Sequence, residues 1–149
     1  GGLYFGDDGQ EYKTFHSRDG LGMKMLQRSG VKLAVITART SDVVTHRMNN
    51  LAIEYVFQGQ QDKVHAYQQL CRKLNLNSEE VAYVGDDVVD LPVMTKVGFA
   101  VAVADAHHIV RKHAHWVTEH SGGHGAVRDV CELLMQAQDT FEEQLSVFL

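Results

Sequence analysis

Val81-Ala-Tyr-Val-Gly-Asp-Asp-Val-Val-Asp90-Leu-Pro-Val-Met94 decides how this chain is read. Val81 to Val84 is a short apolar, β-rich run of the kind that fills a buried parallel strand. Gly85 breaks it, and Asp86, Asp87 and Asp90 follow before an apolar segment with helical spacing. Open α/β sheets place their ligands at the carboxyl ends of their strands. Carboxylates gathered there each disfavour ionisation of the others. A hard divalent cation such as Mg²⁺ relieves that repulsion, since it binds one or two carboxylates and leaves positions open for phosphate oxygens. The plainer reading is a solvated acidic turn with Asp90 in the first turn of a helix, where carboxylates are favoured anyway. A metal site is the better expectation for an acidic cluster at a strand end.

Outward from this turn, apolar strands alternate with amphipathic helices. Strands are expected over Val31–Thr37, Ile53–Phe57, Val97–Val103 and His115–Thr118. Helices are expected over Leu21–Leu26, Val43–Leu51, Lys63–Leu74, Ala106–His113 and Ala126–Met135, the last with a polar tail. Such alternation implies an α/β fold with a parallel sheet and right-handed crossovers. Ahead of it, Leu3-Tyr-Phe5 and Tyr12-Lys-Thr-Phe15 flank a turn-rich segment and read as a β-hairpin. A lone hairpin is marginal, so this aromatic one is expected to pack against another subunit.

Two further strand ends carry candidate chemistry. Thr37-Ala-Arg-Thr-Ser41 offers a hydroxyl, a guanidinium and exposed amides, which suit a phosphate; taken alone, capping of the next helix by Ser41 or Thr40 is the better reading. Lys63 opens a helix, against the macrodipole, and a nearby phosphate would give it a reason to be there. Thr37, Lys63 and Asp86 each follow a different strand. They converge on one edge of the sheet, and that convergence outweighs any single motif.

Composition removes several function classes. At 149 residues, with 44% hydrophobic and 22% charged residues, the chain reads as one soluble globular domain over 1–149. A net charge of −5 gives no electrostatic case for nucleic acid or an anionic membrane. No run reaches membrane-spanning length, and Gly1–Asp7 has no signal-peptide pattern. Cys71 and Cys131 lack CxxC spacing and read as buried thiols of a reducing cytoplasm. The spacing of His107, His108, His113, His115, His120 and His124 matches no zinc pattern.

The ordered Thr, Lys and Gly-Asp-Asp-x-x-Asp after successive strands resembles the haloacid dehalogenase superfamily. Phe15–Gly20, Ile36–Arg39, Gln58–Lys63, Val81–Asp87, Val101–Ala106 and Gly122–Arg128 look like the 3-deoxy-D-manno-octulosonate 8-phosphate phosphatase family, over nearly the whole chain. The resemblance implies a three-layer Rossmann-like parallel sheet without a cap domain. It also implies a cytoplasmic, Mg²⁺-dependent homotetramer that serves lipopolysaccharide synthesis, its 3–15 hairpin packed between subunits. It assigns Thr37 to the transferring phosphoryl group, Lys63 to charge balance, Asp86 and Asp87 to the Mg²⁺ site with Asp86 as the ligand, and Asp87 or Asp90 to orienting water or Lys63. Arg18 and Arg39 become contacts for the sugar-acid carboxylate. Where many relatives carry Arg in a Gly-Gly-Arg-Gly turn, this chain has His124.

The family's first strand ends in Asp-x-Asp-Gly, which supplies the nucleophile and the general acid/base, and no such motif occurs here. That strand is central to the sheet, so its absence should leave a gap and expose ladder groups on two neighbours. The expectation is therefore a piece of a longer chain, with roughly 20 to 30 upstream residues absent, inactive by itself. Two alternatives compete with the eight-carbon substrate: a phosphatase of sialic-acid-type 9-phosphates, and a non-catalytic phosphatase-like oligomerisation module. Retention of Thr37, Lys63, Asp86 and Asp90 favours an enzyme. A dinucleotide-binding domain lacks its G-x-G-x-x-G.

Overall fold

In the computed structural model, which describes residues 2–149, a small hairpin precedes strands joined by helical crossovers. The hairpin pairs β1 (Tyr4–Phe5) antiparallel with β2 (Glu11–Tyr12), Tyr4 opposite Tyr12. It is followed by α1 (Ser17–Arg28), β3 (Ala34–Ile36), α2 (Asp42–Asn50), β4 (Tyr55–Phe57), α3 (Lys63–Leu74) and β5 (Ala82–Gly85). The second half comprises α4 (Leu91–Met94), β6 (Phe99–Ala102), α5 (His108–His113), β7 (Trp116–Val117), α6 (Ala126–Ala137) and α7 (Phe141–Ser146). This is the α/β, Rossmann-like parallel architecture that the alternation predicts.

The strands form two parallel ladders rather than one. β3 pairs with β4, Ile36 opposite Phe57, while β5, β6 and β7 pair in that order, with Gly85 opposite Ala102 and Ala102 opposite Val117. β3 and β5 share no ladder. Burial follows the pairing. In β6, bonded on both sides, Ala100, Val101 and Ala102 are wholly buried. In β3, Ala34 is exposed and Val35 and Ile36 only half-buried, and Ala82, Tyr83 and Val84 of β5 are half-buried too. β4 and β7 are half-buried as well, so β6 is the one parallel strand covered over most of its length, as parallel strands ordinarily are.

Helices close separate cores. Tyr67 of α3, Val93 and Met94 of α4 and Val110 of α5 pack on Ala100 and Ala102, and half-buried Ile36 and Val84 join this cluster from both ladders. Met25 and Leu26 of α1 pack on Cys131 and Met135 of α6. The closeness of α1 and α6 explains Gly22, where a Cβ would lie 2.8 Å from Arg128 Cδ. Burial there pushes the Cys131 thiol up to about 12, with the Asp19 charge adding to it.

Three sequence expectations are corrected. Helix α1 starts at Ser17, so Arg18, Asp19 and Gly20 lie inside its first turn rather than before it. Asp19 is buried and accepts the Arg128 N–H at 2.9 Å, which supplies an acceptor to the amino end of α6. The residues after Met135 are not a polar tail. Asp139, at φ 55°, turns the chain, and α7 brings Phe141 onto the Met25 cluster and buries Gln144. Lastly, no side-chain cap bond is made by Ser41 at the start of α2; its own N–H donates to Gln58 Oε1 at 2.7 Å.

Candidate active site

The acidic turn closes around one carboxylate. Asp90 Oδ1 accepts from Lys63 Nζ at 2.6 Å and from the Tyr83 hydroxyl at 2.7 Å. Asp90 Oδ2 accepts the backbone N–H groups of Asp86 at 3.0 Å and Asp87 at 3.2 Å. Gly85 makes this possible, since a Cβ there would stand 2.7 Å from Asp90 Cβ and from Met94 Sδ. Asp90 is only 2% exposed. Burial alone pushes its carboxyl up, but the bonds from Lys63, the Asp86 backbone and Tyr83 prevail and hold it below the usual range. Asp90 is thereby saturated and acts as the anchor of the site.

Lys63 arrives from the other ladder. The loop after β4 ends at Asp62, whose carboxylate caps α3 by accepting the Val64 and His65 N–H groups at 3.0 and 3.2 Å. That cap offsets the lysine at the first helical position, and the Lys63–Asp90 bond then ties the carboxyl ends of the two ladders together. Tyr83 was not foreseen as a site residue. A tyrosine inside an apolar strand was the available signal, because a buried phenol ordinarily finds a partner. Burial, then the Asp90 charge, push its hydroxyl far up, so it remains a donor.

Asp86 is exposed as a residue, yet burial of its carboxyl and the neighbouring Asp90 charge raise it above the usual carboxylate range. Its carbonyl accepts the His107 N–H at 2.9 Å, which fixes the turn against the start of α5. Asp87 is also exposed, and its Oδ1 caps the following 3₁₀ turn through the Val88 N–H at 2.7 Å. Of the two carboxylates expected at the metal, Asp86 is the one whose ionised form a cation would relieve, while Asp87 has a local backbone role. Among the described residues no group of three or more His, Cys, Asp or Glu gathers to hold a metal ion. The donor set is thus the hard Asp86 carboxylate just after the carboxyl end of β5. That fits Mg²⁺, which takes few protein ligands and fills its octahedron with water and phosphate.

Thr37 directly follows β3. Its N–H donates to the Phe57 carbonyl at 2.9 Å, and its carbonyl accepts from Gln60 at 2.9 Å. Its Oγ1 accepts the Arg39 N–H at 3.2 Å, which leaves the hydroxyl proton to donate elsewhere. The Arg39 side chain extends to the hairpin, where Nη2 meets Glu11 Oε1 at 3.1 Å. Arg18 stands apart from these groups. It lines a cleft of about 390 Å³ with His120, His124, Arg128, Asp129 and Glu132. Another cleft, about 560 Å³ and lined by Tyr67, Cys71, Arg72 and Lys96 among others, contains none of the foreseen site residues.

Comparison with known proteins shows the family of the chain. Residues 36–129 match the haloacid dehalogenase-like hydrolase family. A 3-deoxy-D-manno-octulosonate 8-phosphate phosphatase of Yersinia pestis is 47% identical over 94% of this chain and 75% of its own length. The counterpart from Escherichia coli K12 is 46% identical over 95% of this chain and 75% of its own length. The crystal structure of the Yersinia phosphatase superposes with a TM-score of 0.93, covering 94% of this chain and 76% of that one. A Moraxella catarrhalis 3-deoxy-D-manno-octulosonate 8-phosphate phosphatase, solved with magnesium, phosphate and KDO, superposes at 0.97 with 38% identity, covering 99% and 85%. This chain belongs to the haloacid dehalogenase-like hydrolases and, within them, to the 3-deoxy-D-manno-octulosonate 8-phosphate phosphatase family.

Proposed function

We propose that the protein is a Mg²⁺-dependent phosphomonoesterase that releases phosphate from 3-deoxy-D-manno-octulosonate 8-phosphate, a cytoplasmic step of lipopolysaccharide synthesis. The observation that carries this reading is the Asp90 cluster. It fixes Lys63, the Asp86 turn and Tyr83 at one strand end, with Thr37 on the neighbouring ladder. Thr37 donates its hydroxyl proton to a phosphoryl oxygen. Lys63 has three N–H donors, one of them held by Asp90, and offers positive charge to the crowded anion. Asp86 would hold Mg²⁺, which when bound supplies Lewis-acid polarisation of the phosphoryl group. No carboxylate in this cluster is proposed as nucleophile, since Asp90 is saturated, Asp87 caps a turn and Asp86 serves the metal.

Phosphate release from the eight-carbon sugar-acid phosphate, with the nine-carbon sialic-acid-type 9-phosphate as competitor, tests the reading on the full-length protein. Mg²⁺-dependent release that favours the eight-carbon ester, lost together with the heat of Mg²⁺ binding in Asp86→Ala, is expected. Preference for the nine-carbon ester, or Mg²⁺ binding unchanged in Asp86→Ala, would count against it.

We further propose a homotetramer assembled through the 3–15 hairpin. Leu3, Tyr4, Phe5, Tyr12 and Phe15 are all exposed, Phe5 by 60%, a concentration of aromatic surface of the kind that marks interfaces. Sedimentation at micromolar concentration should show a tetramer, and Tyr4→Ser with Phe5→Ser should shift it to smaller species. A wild-type monomer at that concentration overturns this assembly.

A further inference from the structure

The cleft of about 560 Å³ is lined by Tyr67, Gln68, Cys71, Arg72, Ser78 and Lys96. The first four belong to α3, where Tyr67 and Cys71, and likewise Gln68 and Arg72, are one turn apart. Ser78 lies shortly before β5 and Lys96 shortly before β6, at the amino ends of these parallel strands. Asp86, by contrast, follows the carboxyl end of β5. Cys71 is eight residues beyond Lys63 on α3, roughly 12 Å along the helix.

The walls of this cleft are fixed. The Gly98 N–H donates to the Ser78 carbonyl at 2.7 Å, and a Cβ on Gly98 would stand 2.5 Å from the Glu79 carbonyl oxygen. The loops ahead of β5 and β6 are thus held in contact. Tyr67, only 4% exposed, donates its hydroxyl to Ser78 Oγ at 3.0 Å. Burial pushes that phenol up, against the effect of the Ser78 bond, so Tyr67 stays a donor. Ser78 accepts from it and keeps its own proton to donate. Charge is one-sided. No Asp or Glu lines the cleft, and among the described residues neither Arg72 nor Lys96 is in an ion pair. In a chain of net charge −5, these are two cations without an acidic partner.

We propose that this cleft binds a small, multiply charged oxyanion, a metabolite bearing phosphate or carboxylate groups. A guanidinium fork, an ammonium and a hydroxyl are the donors that such oxygens accept from. The volume suits a whole small molecule rather than a lone ion. Its occupant touches α3, the helix whose first residue is Lys63, and leaves the carboxyl ends of the strands clear.

Cys71 makes the cleft readable apart from the candidate active site. It is half-buried, whereas Cys131 is 2% exposed and its thiol is pushed up to about 12. Alkylation of the full-length protein is followed at Cys71 by peptide mass mapping. Inorganic phosphate and citrate are the probes, and sodium chloride at matched ionic strength is the control. Phosphate or citrate should slow the reaction with neutral iodoacetamide in a saturable way, and the tighter of the two assigns the group recognised. Arg72→Gln and Lys96→Gln should each weaken that protection about fivefold, the upper range for a solvent-exposed ion pair. Anionic iodoacetate should gain on iodoacetamide at Cys71, relative to the same pair acting on free cysteine, and the double variant should lose that gain. An unchanged unfolding midpoint by Trp116 fluorescence shows that the variants are folded. No protection by either probe, or equal protection by chloride, overturns the proposal. So does a reagent ratio unaltered in the double variant, or a Cys71 that reacts with neither reagent.

Discussion

A polypeptide of these 149 residues should release no phosphate from the eight-carbon sugar-acid phosphate, and extending its amino end with an Asp-x-Asp strand should produce turnover. In the proposed roles Thr37, Lys63 and Asp86 bind, orient and polarise a phosphoryl group, and none of those roles is attack on phosphorus or protonation of the departing alkoxide. Asp90 is held by four donors, and moving it into line would strip Lys63 and Tyr83 of their acceptor. Asp87 is bonded to the Val88 N–H. General acid–base assistance alone is worth about 10²–10⁴ in rate, and covalent catalysis has no route without a positioned carboxylate. β3 and β5 share no ladder, while Ile36 and Val84 pack on one core. Phosphate release is compared between the two polypeptides at equal folded concentration, with Mg²⁺ present. Comparable turnover would mean that a described carboxylate is the nucleophile and that the roles given to Asp86, Asp87 and Asp90 are wrong.

Asp90→Ala should be the most damaging single substitution to stability, lowering the unfolding free energy by about 3–5 kcal/mol. It leaves the Lys63 ammonium, 14% exposed, without its carboxylate and removes the acceptor of the Tyr83 hydroxyl and two backbone N–H groups. It also cuts the bond between the two ladders. Combining Asp90→Ala with Lys63→Met should cost less than the sum of the single changes, by about 0.5–3 kcal/mol, because the second change removes the stranded charge. Urea unfolding followed by the fluorescence of Trp116, the single tryptophan, half-buried in β7, reads both. The pH dependence has a definite sign. The Asp90 carboxyl is held below its ordinary value, so its contribution is present above about pH 4 and is lost as pH falls through the folded-state value. The wild type should therefore lose stability on acidification more steeply than Asp90→Asn. An Asp90→Ala midpoint equal to that of wild type would show that the cluster does not hold the ladders together.

The sequence by itself determined the parallel α/β class and the order of the chemistry along the chain. Both come from short-range physics: apolar runs of strand length, helical periodicity, and a Gly-Asp-Asp break that a buried strand does not tolerate in its interior. The positions of Thr37, Lys63 and Asp86 after strand ends were legible because a strand end followed by a helix start is a local event. Helix α7 was not legible, since its few apolar residues make no long amphipathic face and only the Met25 cluster, far back in sequence, gives Phe141 a reason to fold inward. Tertiary structure alone decided who partners whom. The meeting of Lys63 with Asp90, 27 residues on, of Arg39 with Glu11, 28 residues back, and of Asp19 with the Arg128 N–H, 109 residues on, depends on how loops from different elements are brought level by packing beneath them. The same packing separated the carboxylates by role. One sequence cluster of three aspartates became an anchor at Asp90, a turn cap at Asp87 and a metal candidate at Asp86, because burial and the direction of nearby N–H groups differ over a few ångströms, a difference that residue spacing does not encode.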